Sequence, residues 1–195
     1  MTARLRTLPP VLLACTALVA FAGCGDSHSK VTTGTYAGES GANAPYLDVG
    51  PLKYEIQLSR QLNPTNSEDQ AYLKGLTPAQ AKLEPGQEWF AVFVQVYNTG
   101  SQAQPAASTM TISDTQGNVY SPLVPDATNS YAYRGGTVQG KGQIPEPDTT
   151  SSSGPTQGSL LLYKISTESL SNRPLEVKIS NPVDLSESAT AELDV

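Results

Sequence analysis

A chain of 195 residues with one histidine, two cysteines and two methionines has few chemistries open to it. The histidine, His28, lies among Gly, Ser, Thr, Ala and Asn, away from any patterned segment. A serine or cysteine nucleophile needs an imidazole beside it to take its proton, so hydrolysis by the usual triad is excluded. Zinc and copper centres want several Cys, His or Met ligands, and the body that follows His28 has no Cys, no His and only Met110. No metal and no cofactor is therefore expected. Phosphate cradles are glycine-rich turns that open a helix, whereas Gly135-Gly136 and Gly140-Lys141-Gly142 are followed by no helical pattern and read as turns. The carboxylate pairs Glu68 with Asp69 and Glu146 with Asp148 read as solvated surface pairs, with calcium binding or acid-base work as the sharper alternative. Asp114 to Asn118 has part of the make-up of a calcium loop but lacks the remaining acidic ligands, and a hairpin turn is expected there. Two features remain. One is the thiol of Cys24; the other is the cluster Tyr131, Tyr133 and Arg134. Amphipathic aromatics and Arg in a long loop are the composition of a recognition surface, although tyrosines also pin long loops back onto the domain that carries them.

Cys24 takes its meaning from what precedes it. Arg4 and Arg6 make a basic start, Val11 to Ala22 is uncharged and apolar, and the small residues Ala22 and Gly23 lead into the cysteine. This is the three-part plan of an export signal, and the apolar run falls short of the roughly 20 residues that span a bilayer. Phe21-Ala22-Gly23-Cys24 resembles the lipobox of bacterial lipoproteins, with Phe21 where Leu is usual. The resemblance implies that the thiol receives a diacylglyceryl group and that Cys24 becomes the new N-terminus. Cys15 sits inside the apolar run and would leave almost no hydrophobic region ahead of it, so Cys24 is chosen. The mature chain of 172 residues then has no thiol left for a disulfide, and two or three acyl chains hold it at the membrane. Loss of Arg4 and Arg6 takes the formal charge from −6 to −8, which disfavours nucleic acid as a partner.

The rest of the chain must be positioned by strands. Residues 24–50 are low in apolar periodicity and are expected to form a flexible tether reaching roughly 30 Å. Alternation begins at Lys53 to Leu62, and Ser67-Glu68-Asp69-Gln70 combines a cap residue with early acidic groups, predicting a short helix through Leu73. Glu88 to Asn98 carries Phe90, Val92, Val94 and Val96 on one face and Trp89, Ala91, Phe93, Gln95 and Tyr97 on the other. Aromatics on both faces predict a central strand, with Trp89 in the core. Thr109 to Ser113 and Val119 to Ser121 flank the hairpin turn, Pro122 to Gly158 reads as a long loop, and strands resume at Leu160 to Ile165, Leu175 to Ile179 and Ala189 to Val195. The expected organisation is a signal peptide over 1–23, a tether over 24–50 and one all-β domain over 51–195. That domain is an antiparallel β-sandwich of about seven strands with a short helix and the long loop 122–158.

Glu84 to Gly100, Asp114 to Tyr120 and Gly158 to Ile165 together resemble the telokin-like, immunoglobulin-like domain of bacterial lipoproteins, and the likeness covers most of the body. It implies an immunoglobulin-like fold and carries no catalytic role. The expectation is a non-catalytic, extracytoplasmic lipoprotein, held to the cell membrane by lipid on Cys24. Tyr131, Tyr133 and Arg134 would bind a protein, peptide or glycan of the envelope. A purely structural spacer and a carboxylate-based envelope hydrolase are the alternatives.

Overall fold

Gln87–Tyr97 forms the central strand that its two apolar faces predict. The computed structural model describes residues 29–32 and 46–193, so the signal segment, Cys24 and His28 lie outside the described residues. In chain order the strands are β1 (Ser29–Thr32), β2 (Leu47–Val49), β3 (Leu52–Leu62), β4 (Gln87–Tyr97), β5 (Gln104–Ala106) and β6 (Met110–Ser113). They continue as β7 (Val119–Tyr120), β8 (Gly136–Val138), β9 (Gln143–Ile144), β10 (Ser159–Ser166), β11 (Leu175–Ser180) and β12 (Ser188–Leu193). Three short helices, α1 (Ser67–Tyr72), α2 (Pro78–Ala81) and α3 (Thr150–Ser153), lie between them.

Two sheets make a β-sandwich. One runs β10-β4-β3-β2, with β9 joined to β4 beyond the end of β10; the other runs β1-β12-β11-β6-β7. A two-stranded ribbon pairs β5 with β8. The described pairs are antiparallel except that of β1 with β12. Between the sheets, Tyr54, Ile56, Phe90, Val92, Val94 and Val96 meet Met110, Ile112, Val177, Ile179, Ala189 and Ala191. The tyrosines in this core have their hydroxyls satisfied: the Ala107 N–H donates to Tyr54, and Tyr163 donates to the Met110 carbonyl at 2.9 Å.

The outer face of β4 is equally apolar and needs its own cover. Trp89, Ala91 and Phe93 pack there with Leu62, Leu160, Leu162 and Tyr72 of α1. The expected helix is present, but its cap is Asn66 rather than Ser67, because the Asn66 side chain accepts from the N–H groups of Glu68 and Asp69. Asp69 corrects the reading of a solvated carboxylate pair. It is buried, accepts two bonds from the Arg60 guanidinium and accepts the Asn63 N–H at 2.7 Å, so it clamps α1 to β3. Burial alone would raise its pKa; the bonds from Arg60 and Asn63 outweigh that and lower it. Helix α2 starts with a capping box of Thr77 and Gln80, and Lys164 donates to the carbonyls of Ala79 and Lys82 while its ammonium lies 5.5 Å from the Trp89 ring centroid.

Two further expectations change. The region read as tether contains β1 and β2, each paired to the body. The connection read as a long loop contains β8, β9 and α3, and isolated bridges tie Leu123 to Leu162 and Ala132 to Leu160. The hairpin at Asp114 forms as expected. Its carboxylate accepts the N–H groups of Gln116 and Asn118, the Asn118 amide, and the Ser169 hydroxyl at 2.7 Å. Burial works against the charge, but these donors hold the pKa down from 3.8 to about 2. A depressed pKa contributes stability that is present above the unfolded value of 3.8 and is lost as pH falls through about 2. Asp114→Asn should therefore cost about 1–3 kcal/mol at neutral pH and flatten the loss of stability between pH 4 and pH 2, measured by urea denaturation across that range.

Candidate functional site

Three strands meet β4 along its length, and the site lies where its outer partner changes. Strand β10 pairs with β4 from Gln87 to Val94, and β9 takes over at Val96 and Tyr97. Gly158 makes the handover. Its φ is +106°, and a Cβ built on it would lie 3.0 Å from the Val94 nitrogen, so both backbone angle and space call for glycine. Beside this junction is a cleft of about 600 Å³. Val138, Ile144, Pro145 and Ala132 give it apolar walls, and Arg134, Gln139, Gln143, Glu146, Thr149 and Ser151 give it polar groups. Every lining residue comes from the 122–158 connection or from Ser159 just after it.

The connection becomes a wall through side chains that bind main-chain groups. Asn129 is the principal clip. Its amide donates to the carbonyls of Tyr72 and Lys74 at 2.8 and 2.9 Å, and its oxygen accepts the N–H groups of Tyr131 and Ala132. Ser151 of α3 is buried and donates to the Ser130 carbonyl at 2.9 Å. The Leu123 N–H and the Tyr133 N–H donate to the carbonyls of Leu162 and Leu160, so the connection lies against β10.

The three residues expected to bind a partner divide. Tyr133 is buried in the core between the sheets, where its hydroxyl donates to the Ala107 carbonyl at 2.8 Å; burial, with Tyr54 beside it, pushes its pKa up. It cannot present a ring to a ligand. Tyr131 is half-buried, with its ring edge-on to Tyr72 at 4.9 Å, and packs on the outer core. These two tyrosines pin the connection to the sandwich. Arg134 alone reaches the cleft, and its guanidinium also donates to the carbonyls of Pro125, Asp126 and Asn129, closing that part of the chain.

Sequence reasoning read Glu146 as a surface carboxylate, and the structure sets it at the cleft, exposed, on the segment following the buried Pro145. It missed Gln139, Gln143, Thr149 and Ser151 altogether, since none belongs to a pattern. A second polar cluster lies on the outer face of β3 and β4, where Tyr97 is paired with Gln143 of β9. Glu55 is buried there, accepting from the Tyr97 hydroxyl at 3.2 Å, with Gln95 also against Tyr97. Burial raises the Glu55 pKa more than its hydrogen bonds with Tyr97 and Gln57 lower it. This cluster holds the two strands together in place of an apolar cover.

No family model matches the sequence. No curated protein matches it either. Among solved structures the chain is similar to the yjhA protein of Bacillus subtilis, at 11% identity and a TM-score of 0.50, over 77% of this chain and 97% of that one. The candidate lipoprotein ycdA of Bacillus subtilis aligns at 13% identity and a TM-score of 0.47, over 78% of this chain and 39% of that one. An uncharacterized β-sandwich protein of Clostridium difficile aligns at 12% identity and a TM-score of 0.44, over 84% and 95% of the two chains. The yjhA likeness is one of fold.

If Asn129 is the clip that makes the connection a wall, Asn129→Ala should destabilise the protein by roughly 3 kcal/mol, because it leaves buried donors and acceptors on both sides unpaired. The measurement is chemical denaturation, with limited proteolysis showing faster cutting within 122–158.

Proposed function

We propose that the protein is an extracytoplasmic lipoprotein, held to the membrane by lipid on Cys24, whose non-catalytic sandwich binds a peptide, protein or glycan of the envelope. The observation that carries the binding role is the cleft beside Gly158, with its apolar walls and hydrogen-bonding rim. Arg134 and Glu146 supply one charge of each sign, and Gln139 and Gln143 supply amides that both donate and accept. Such a lining suits a polar, extended ligand with both donors and acceptors, which describes a peptide backbone or a glycan.

Binding is favoured over carboxylate-based hydrolysis by the same lining. Glycoside hydrolysis needs two carboxyl groups about 5 to 10 Å apart, and among the described residues lining the cleft Glu146 is the one carboxylate. The anchor rests on the sequence from Arg4 to Cys24, and no helix among the described residues is long and apolar enough to cross a membrane. The immunoglobulin-like assignment rests on the strand and turn segments quoted above and on the two-sheet arrangement.

One experiment in cells tests both parts. A photo-crosslinking amino acid is placed at Gln139 in the cleft or at Gln116 in the distant hairpin, with Cys24 intact or as Cys24→Ala. The anchored Gln139 chain should give a discrete crosslinked species that the Gln116 chain lacks, and Cys24→Ala should appear in the medium. Identical products at both positions would overturn the cleft assignment. Unchanged membrane retention of Cys24→Ala would overturn the anchor.

A further inference from the structure

The loop between β11 and β12 exposes two large apolar side chains at its tip, Val183 at 77% and Leu185 at 79%. The loop is built to hold them there. Asn181 accepts the Val183 N–H at 2.9 Å, Asp184 accepts the Ser186 N–H at 3.0 Å, and the Asp184 carbonyl accepts the Glu187 N–H. Glu187 in turn accepts the Gly50 N–H at 2.8 Å and the Asn181 amide, fastening the loop to the turn between β2 and β3. Apolar tips on a braced turn belong to a contact with something apolar, and among the described residues nothing covers them.

The register of β1 says what lies beside this tip. β1 runs parallel to β12, with Ser29 opposite Ser188, so the chain enters the sandwich at the end where the loop sits. Only residues 25–28 separate Ser29 from Cys24. Five residue steps span at most about 18 Å in any conformation. A lipid on Cys24 therefore fixes this end of the body within that distance of the bilayer surface, in place of the roughly 30 Å reach of a tether running to residue 50.

We propose that the 181–187 end is the membrane-facing end of the sandwich, with Val183 and Leu185 seated in the interfacial layer of the bilayer that holds Cys24. The proposal rests on the reading of Cys24 as acylated. The anchor turns insertion into an intramolecular event at high effective concentration, so two side chains are enough to orient the body. Asp184 and Glu187 in the same loop oppose anionic lipid, which makes the contact one of apolar burial rather than charge.

The test uses the mature chain from Cys24, coupled through that thiol, its sole one, to a maleimide lipid in phosphatidylcholine vesicles with brominated acyl chains. Chemical coupling makes the readout independent of acylation in the cell, so failure here and failure of the anchor are told apart. Tryptophan fluorescence is compared for Leu185→Trp, Val183→Trp and Gln116→Trp after subtraction of the unsubstituted chain, in which Trp89 is buried. Gln116 is exposed in the hairpin at the opposite end, because β6 runs from Met110 beside Ile179 to Ser113 beside Glu176. Both loop variants should be quenched at least about twofold more than Gln116→Trp, as a depth of 5–10 Å requires. Equal quenching at the three positions, or stronger quenching at Gln116, would overturn the proposal.

Discussion

Strand β4 is apolar on both faces, and that constraint organises the molecule. A strand with Phe90, Val92, Val94 and Val96 on one side and Trp89, Ala91 and Phe93 on the other cannot sit in a two-layer sandwich with one face wet. The second sheet satisfies the inner face. The outer face has to be covered by whatever the chain supplies between its strands, namely α1, Leu76 and Leu83 on either side of α2, and the 122–158 connection with Leu123 and Tyr131. The length of that connection follows from its task, which is to cross from the hairpin at Asp114 to β10 while capping a hydrophobic surface.

The way the cover is fastened also makes the cleft. Asn129 and Arg134 bind main-chain carbonyls of the segments they hold, and Ser151 binds Ser130. A layer held at a few points by single side chains and isolated main-chain bridges does not close completely on the sheet beneath it. Where β4 exchanges β10 for β9, the gap is lined by side chains from both flanks of the connection. The body is thus rigid in its sandwich and chemically varied at one edge, and the braced 181–187 turn is fixed by the Glu187 contacts to Gly50 and Asn181.

Much of this was legible in the sequence, for reasons that differ by element. β4 and β10 announce themselves as near-continuous apolar runs, β11 through period-two alternation and the Asp114 hairpin through its turn residues, and each appears within a residue or two of its expected bounds. α1 was legible through its acidic first turn, although Asn66 and Ser67 are equally good caps by type. The 122–158 connection was not, because its order comes from strands of two or three residues, single bridges and side chain to backbone bonds, none of which is long enough to show a period. The sequence leaves Tyr131 and Tyr133 open between binding a partner and pinning the connection for a related reason: an aromatic beside an arginine in a non-periodic segment has the same sequence whether its ring faces in or out. β1 was hidden by its length, since four residues are too few for alternation to show and its partner lies at the far end of the chain.

The cleft, and with it the binding role, stands on the 122–158 connection being a folded layer of the sandwich. Amide hydrogen exchange of the intact mature protein tests this most directly. The amides of Leu123, Asp126, Tyr133 and Gly158, each bonded to a main-chain carbonyl, should exchange orders of magnitude more slowly than in an unfolded chain. Exchange of the whole segment at unfolded rates, with β4 still protected, would contradict the account.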